Sequence, residues 1–432
     1  MKDASKLPHF PANRRQFMRR AACAAAATLW PLPSIARAAP RIVIIGGGFA
    51  GASCARALRR ADPRLSVTLI EQRRIYTAPP LVNGVLSGLR TLGEQQFGYD
   101  KIAAAGVAVV HAAATAVDPH ARSVTLNSGD RLSYDRLVLA PGIDLRFGAL
   151  AGYSEALAAQ LPHAWTADGA QIDLLRRQLE AMDDGGRVVV TVPANPSRCP
   201  PGPYERASMI AYFLKNKKPR SKLVIIDAKD EFTMQALFQN AWKELYPGVI
   251  EWVSPSKGGD IASIDAAGRT IATDFDTYKF AVANVIPPQT AGRITMAAGV
   301  ADRTGWCPVD PLSFESTRQR NVHVIGDAAI AGAMPKSAFA AFVEAQLCAA
   351  AIVRLMAGEK PATAKLVSNC YSLVGRDYAI SIAGVYHPVN GEYQEVEGAG
   401  GASPLHAPGA FRAKEAEFAD AWFRSNTRQI FG

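Results

Sequence analysis

The feature that most constrains this chain is a glycine-rich turn set between a strand and a helix. Arg41-Ile42-Val43-Ile44-Ile45 is a short, β-branched, apolar run, the pattern of a buried strand. Gly46-Gly47-Gly48-Phe49-Ala50-Gly51 follows at once and fits G-x-G-x-x-G. A helical stretch from Ala52 to Arg60 comes next, then a second strand from Leu65 to Ile70, followed by Glu71 and Gln72. Alone, a glycine motif says little; in this strand–turn–helix–strand setting it predicts a dinucleotide-binding fold. Gly46 permits the tight turn, Gly48 lets backbone approach a pyrophosphate, and Gly51 allows close helix–strand packing. The helix N-terminus offers unpaired N–H groups and about half a positive charge to the phosphates. Glu71 is placed to accept hydrogen bonds from a ribose.

Two later segments point to FAD as the dinucleotide. Tyr134 to Gly142 is a strand that ends in the small-residue turn Ala140-Pro141-Gly142. Asn321 to Ala328 is another, ending in Gly326-Asp327. They resemble the second and third flavin motifs of the glutathione-reductase-like flavoproteins, which carry two dinucleotide domains. The resemblance implies that Asp327 holds the ribityl chain. It also implies that the helix from about Ser337 points its N-terminus at the flavin pyrimidine end, where it would stabilise an anionic reduced ring.

A second βαβ unit follows. Gly186 to Val192 and Lys222 to Asp227 read as strands, with a helix from Tyr204 to Lys217 between them. Its first turn, Pro193 to Pro203, holds one glycine amid prolines and a cysteine. Proline is stiff and lacks the N–H that a phosphate cradle needs, so no NAD(P) is expected here.

Composition enters at the N-terminus. Residues 1–38 carry seven Lys and Arg against the single acid Asp3, so most of the net charge of +10 sits there. The remainder is close to balanced and gives no nucleic-acid signal. Asn13-Arg14-Arg15-Gln16-Phe17-Met18, the apolar stretch Ala21 to Leu32 and Ala36-Arg37-Ala38 come in signal-peptide order. The paired arginines resemble the twin-arginine type. The mature chain is therefore expected in the periplasm, with no transmembrane segment beyond residue 40.

Six cysteines remain to be placed. Cys23 leaves with the signal. Cys54 and Cys348 fall in helical apolar stretches and read as buried thiols. Cys199, Cys307 and Cys370 lie in loop-like contexts, enough for one disulfide and one thiol. No Cys-x-x-Cys-His occurs, so no haem is expected on this chain. The seven histidines show no ligand spacing, so no metal is expected either.

Arg198-Cys199-Pro200-Pro201-Gly202-Pro203-Tyr204-Glu205-Arg206-Ala207-Ser208 is far more specific than any glycine motif. With Gly305 to Asp310, Met334-Pro335-Lys336-Ser337, Asn369 to Ser372 and Trp422 to Gly432, it resembles the flavoprotein subunit of flavocytochrome c sulfide dehydrogenase. That family is related to the sulfide:quinone reductases. The resemblance covers residues 39–432 and implies several roles. Cys199 and Cys370 form a redox-active disulfide beside the flavin, with Cys307 as the competing partner. Glu205 is a proton acceptor; the alternative is a solvent-facing Glu205 paired with Arg206. The candidate FAD contacts are Gly46, Gly48, Phe49, Ala50, Gly51, Glu71, Gln72, Gly142, Asp327 and Lys336. In the family FAD is usually tethered through a cysteine in the loop after the second strand. Here that loop, Tyr76 to Asn83, has none, so non-covalent FAD is expected.

The expected fold class is α/β, with two Rossmann-like domains of the glutathione-reductase-like type and a small α+β C-terminal domain. The expected boundaries are 1–38 for the signal, 39–152 with 290–360 for FAD, 153–289 for the second Rossmann-like unit and 361–432 for the last domain. The resemblance implies oxidation of sulfide to zero-valent sulfur or polysulfide, with electrons passed to a c-type cytochrome subunit. The alternatives are a sulfide:quinone reductase-like enzyme and a non-catalytic flavoprotein that binds a cytochrome or sulfur carrier. The segment Gly409 to Phe423 reads as a helix with Phe411, Phe418 and Trp422 on one side. That side is expected to pack on the protein's own core, with cytochrome docking as the next reading.

Overall fold

The computed structural model describes residues 39–432. The expected export signal, residues 1–38, lies outside the described residues. The first sheet is five-stranded and parallel, in the order Val322–Val324, Arg136–Leu139, Arg41–Ile45, Ser66–Ile70, Ala108–Val110. Its strands read as continuous apolar runs because helices cover both faces: Ile42, Ile44, Leu69 and Leu137 have no exposed surface. Phe49–Ala61 is the helix after the glycine turn. It packs against Ala338–Met356, and the fully buried thiols of Cys54 and Cys348 meet between the two. Among the described residues, Ala338–Met356 is the one helix long and apolar enough to cross a membrane; here Ala345, Cys348, Ala349 and Ile352 are buried in the core.

The second sheet is parallel too, in the order Ile250–Val253, Lys222–Asp227, Arg187–Val192, Val282–Val285. The helix between its two central strands runs Gly202–Lys217, two residues earlier than the sequence pattern indicates, because Pro203 fits the first turn of a helix. Each parallel sheet is accompanied by a three-stranded antiparallel unit, within residues 114–133 and 261–279. The third sheet is antiparallel and holds Leu366–Gly375, Tyr378–Val389 and Glu392–Glu395. The last two strands turn at Asn390-Gly391, both with positive φ, as a two-residue hairpin requires.

The C-terminal helix, Gly409–Phe431, corrects the expected face in part: Trp422 packs on the core against Phe49 and Phe339, but the other two rings do not. Phe411 and Phe418 are 41% and 49% exposed. The buried stripe runs instead through Arg412, Glu415, Ala419, Phe423 and Ile430. The Arg412–Glu415 ion pair sets that rotation: it is buried, and Glu415 accepts from Ser381 of the neighbouring strand at 2.6 Å. Phe431 then inserts between Tyr76 and Phe97, at ring distances of 5.3 and 5.1 Å. Burying such a ring is worth about 1.5–3 kcal/mol, which ties this helix to the first domain.

Candidate active site

The glycine turn opens one deep cleft. Gly46 has a φ of +101°, and a Cβ there would lie 2.2 Å from the Ala140 carbonyl oxygen. A Cβ on Gly51 would lie 1.8 Å from the Gly46 oxygen, so Gly51 lets the helix pack on the turn rather than facing the cleft. Gly48 differs. The nearest atom to a Cβ there is Tyr76 at 3.4 Å, so its missing side chain leaves space on the cleft side. Gly46, Gly48, Phe49, Ala50, Glu71, Gln72, Gly142 and Asp327 all line this cleft. Glu71 already accepts from the Gly47 N–H at 2.7 Å and the Arg73 N–H at 2.9 Å. It therefore holds the turn in shape, and a carboxylate keeps acceptor sites in reserve for a ribose.

Besides Gly51, one expected contact does not line the cleft, Lys336. Its Nζ donates to the Ala329 carbonyl at 2.5 Å and sits 4.2 Å from the centre of the Trp306 ring. A largely buried ammonium needs such partners, and they turn it away. The helix beginning at Ala338 is capped by Ser337, whose oxygen accepts from Ala340 N at 3.1 Å. Ser337, Ala338 and Phe339 line the cleft, so its N-terminus faces the cavity. Asp327 sits deep in the cleft, and burial raises its carboxyl pKa against the pull of Arg198 and Lys336. This combination of open glycine turn, helix termini and deep carboxylate fits the diphosphate and ribityl parts of FAD.

Two cysteines and a buried acid line the same cleft. Cys199 and Cys370 both line the cleft, as separate thiols in this structure. Cys199 has a φ of +51°, and its N–H donates to the Lys336 carbonyl at 2.8 Å. Cys199 lies in a loop, as expected, but Cys370 does not: it is in the middle of strand Leu366–Gly375. Cys307 has no exposed surface, sits in a two-residue strand paired with Ala329, and does not line the cleft. Burial pushes the Cys199 thiol up, Cys370 and Glu205 add to this, and Arg198 opposes it. Burial raises Cys370 to about 11, while hydrogen bonds from Ser337 and Ser368 pull it back.

Glu205 is buried at 5% exposure, which removes the solvent-facing alternative. Burial raises its carboxyl to about 7, against the Asn83 hydrogen bond and the charge of Arg206. It does not pair with Arg206. That guanidinium donates to Asn83 Oδ1, the His163 carbonyl and Asn284 Oδ1, at 2.9, 3.1 and 3.2 Å. Asn83, Trp165 and Arg198 line the same cleft and carried no role in the sequence reading. No periodicity marks them, and Trp165 lies in an irregular segment between two helices.

The chain has relatives among known proteins. Residues 172–287 match the family described as "Sulfide dehydrogenase [flavocytochrome c] flavoprotein chain, central". Residues 362–431 match "Flavocytochrome c sulphide dehydrogenase, flavin-binding", and residues 40–189 match "Pyridine nucleotide-disulphide oxidoreductase". The sulfide dehydrogenase flavoprotein chain of Chlorobaculum thiosulfatiphilum is 49% identical over 45 residues, 10% of this chain and 94% of that relative. The mitochondrial sulfide:quinone oxidoreductase of Mus musculus is 23% identical over 319 residues, 71% of this chain and 68% of that one. The structure of the Aquifex aeolicus sulfide:quinone oxidoreductase shares the fold, with a TM-score of 0.71 at 18% identity, over 90% of this chain and 92% of that chain. The flavin-binding match and the cleft together make this an FAD protein, and the chain belongs to the flavoprotein family of flavocytochrome c sulfide dehydrogenase, related to the sulfide:quinone reductases.

Proposed function

We propose that this protein is a periplasmic oxidoreductase, exported by the twin-arginine route, that uses FAD to oxidise sulfide to zero-valent sulfur or polysulfide. A Cys199–Cys370 disulfide takes up the sulfide, and a c-type cytochrome takes the electrons. The observation that carries this reading is the gathering of Cys199, Cys370 and Glu205 in the same cleft that the glycine turn and Asp327 line, with Cys370 and Glu205 both acting on the Cys199 thiol.

The chemistry balances on these residues. Hydrosulfide attacks one sulfur of the disulfide; the S–S bond breaks, giving a cysteine persulfide and a cysteine thiolate. Glu205, with a carboxyl near pH 7, is the group in the cleft suited to taking the proton. A second hydrosulfide removes the outer sulfur as HS2− while Glu205 returns the proton, leaving one cysteine as thiol and the other as thiolate. Bound FAD would supply the two-electron acceptor that this pair needs to return to the disulfide. The Trp165 ring, which lies with Cys199 Sγ against Gly202, shields that sulfur from bulk water.

FAD is held without a covalent bond in this reading. The loop Tyr76 to Asn83 has no cysteine, and Ala78 there is fully buried. Nicotinamide use is disfavoured by Asp227, the acid at the end of the second strand of the second unit. It has no exposed surface, and it accepts from Tyr204 at 2.5 Å, Lys229 Nζ at 2.7 Å and Trp252 Nε1 at 3.0 Å. Nothing is left to read a ribose.

A quinone is the second reading for the acceptor. It is favoured by the exposed Phe411 and Phe418, which share a helix with the cleft residue Trp422. Steady-state sulfide oxidation with cytochrome c or with a short-chain ubiquinone analogue separates the two. Faster turnover with cytochrome supports the proposal; turnover with quinone alone overturns the cytochrome assignment.

A further inference from the structure

Trp165 carries a guanidinium on each of two neighbours: Arg198 Cζ lies 5.5 Å and Arg206 Cζ 5.2 Å from its ring centre. The two cations are in different situations. Arg206 is fully buried and spent on Asn83, His163 and Asn284. Arg198 lines the cleft, and its side chain makes one hydrogen bond, to the Trp165 carbonyl. Among the described residues no carboxylate pairs with it, although its guanidinium has five N–H donors in a fixed fork.

The surplus of donors extends around it. Gln289 Oε1 accepts from the Arg198 backbone N–H at 2.8 Å, which leaves the Gln289 Nε2 buried without a partner. The indole N–H of Trp165 is likewise buried and unpartnered, on a residue 4% exposed that lines the cleft. Buried donors are normally satisfied, and the unmatched Trp165 indole N–H in the cleft, beside a guanidinium without a carboxylate partner, marks a site that lacks its acceptor. Arg198 is also the residue directly before Cys199.

We propose that Arg198 is the substrate-binding residue of this cleft: its guanidinium holds a small inorganic sulfur anion, hydrosulfide or a short polysulfide, against the Cys199–Cys370 pair. This deepens the sulfide reading and rests on it for the identity of the nucleophile. It assigns the site to anionic inorganic sulfur rather than to neutral organic thiols. The same charge favours the thiolate that leaves when the disulfide opens, as the opposing pull of Arg198 on the raised Cys199 thiol indicates.

The test uses the FAD-loaded protein, reduced anaerobically with a phosphine, as wild type, Arg198→Met and Arg198→Lys. Alkylation of Cys199 by iodoacetate and by iodoacetamide is followed by peptide mass. The reagents differ in charge, so the ratio of their rates reports the local field without any use of sulfide. Arg198→Met is expected to lower the iodoacetate:iodoacetamide ratio about tenfold, the loss of a nearby unit charge at partial burial. Arg198→Lys, which keeps the charge, should hold most of the ratio. The hydrosulfide concentration for half-bleaching of the flavin should rise about tenfold in Arg198→Met, matching the ratio. A ratio unchanged in Arg198→Met overturns the proposal. So does a tenfold weaker FAD dissociation constant with the ratio kept, which would make the flavin the acceptor these donors await. Failure of sulfide to bleach the wild type, with the ratio still dependent on Arg198, would sink the sulfide reading and leave the anion site standing.

Discussion

Asn83 holds Glu205 through its amide: Nδ2 donates to Glu205 Oε1 at 3.1 Å, while the same amide's oxygen accepts from Arg206 Nε at 2.9 Å. The acid is therefore fixed at the cleft without an ion pair that would hold it ionised. Its carboxyl, raised to about 7 by burial, must lose a proton before it can accept one. Sulfide-driven bleaching should rise as pH increases through about 7. Glu205→Gln should slow it by about a hundredfold or more and remove the part of the pH step that belongs to this group. Stopped-flow rates of both proteins across pH 5.5–8.5 (roughly the range in which such a group titrates) check this; equal rates would take Glu205 out of the proton path.

Gly202 gives Cys199 its room. A Cβ there would lie 2.8 Å from the Trp165 ring and 3.0 Å from Cys199 Sγ. Gly202→Ala gains up to about 1 kcal/mol of helix propensity, but the crowding of a closed wall costs about 1–3 kcal/mol, so the clash wins. A lower melting temperature with slowed bleaching is expected. A more stable variant that bleaches normally would mean the wall relaxes freely.

Glu344 offers a test of burial alone. It is 3% exposed, accepts from the Gly326 N–H at 2.6 Å, and burial raises its carboxyl to about 7, eased by Gly326 and Lys336. Because the folded pKa lies above the unfolded one, the proton stabilises the fold at low pH. That contribution is lost as pH rises from about 4.5 to about 7. Glu344→Gln keeps an acceptor for Gly326 and has no proton to lose. Its stability relative to wild type should rise across that window by roughly 1–3 kcal/mol, then level off. Urea midpoints at pH 5 and pH 8 measure it, and a difference that shrinks with pH would contradict the assignment.

Asp227 predicts a negative result with a positive control. Its partners Tyr204, Lys229 and Trp252 consume its acceptor sites, and Tyr204 stacks on Phe232 at 3.6 Å. NADH or NADPH added anaerobically should leave the flavin spectrum unchanged, while dithionite bleaches it. Rapid bleaching by NADH would show that a nicotinamide site exists.

Much of the frame was legible in the sequence because it is local. Ile42 to Ile45, Gly46 to Gly51 and Val188 to Val192 each declare strand or turn within a few residues. The site was legible only in part, since it is assembled from distant segments. Asn83, Trp165 and Cys370 approach Cys199 through three different connections, which no spacing encodes. Lys336 lies off the cleft lining because the motif fixes its position in the chain while Ala329 and Trp306 fix where its ammonium points. The C-terminal helix was partly misjudged because its large apolar residues suggested one face. The buried Arg412–Glu415 pair, a polar feature that hydrophobic patterning overlooks, selects another.

The central claim is that Cys199 and Cys370 act together at the flavin. Anaerobic titration of the FAD-loaded protein with sulfide, following the flavin spectrum of wild type, Cys199→Ser, Cys370→Ser and Cys307→Ser, tests it most directly. The account predicts bleaching in wild type and Cys307→Ser and none in the other two. An unreduced flavin in wild type, or equal bleaching in all four, would contradict it.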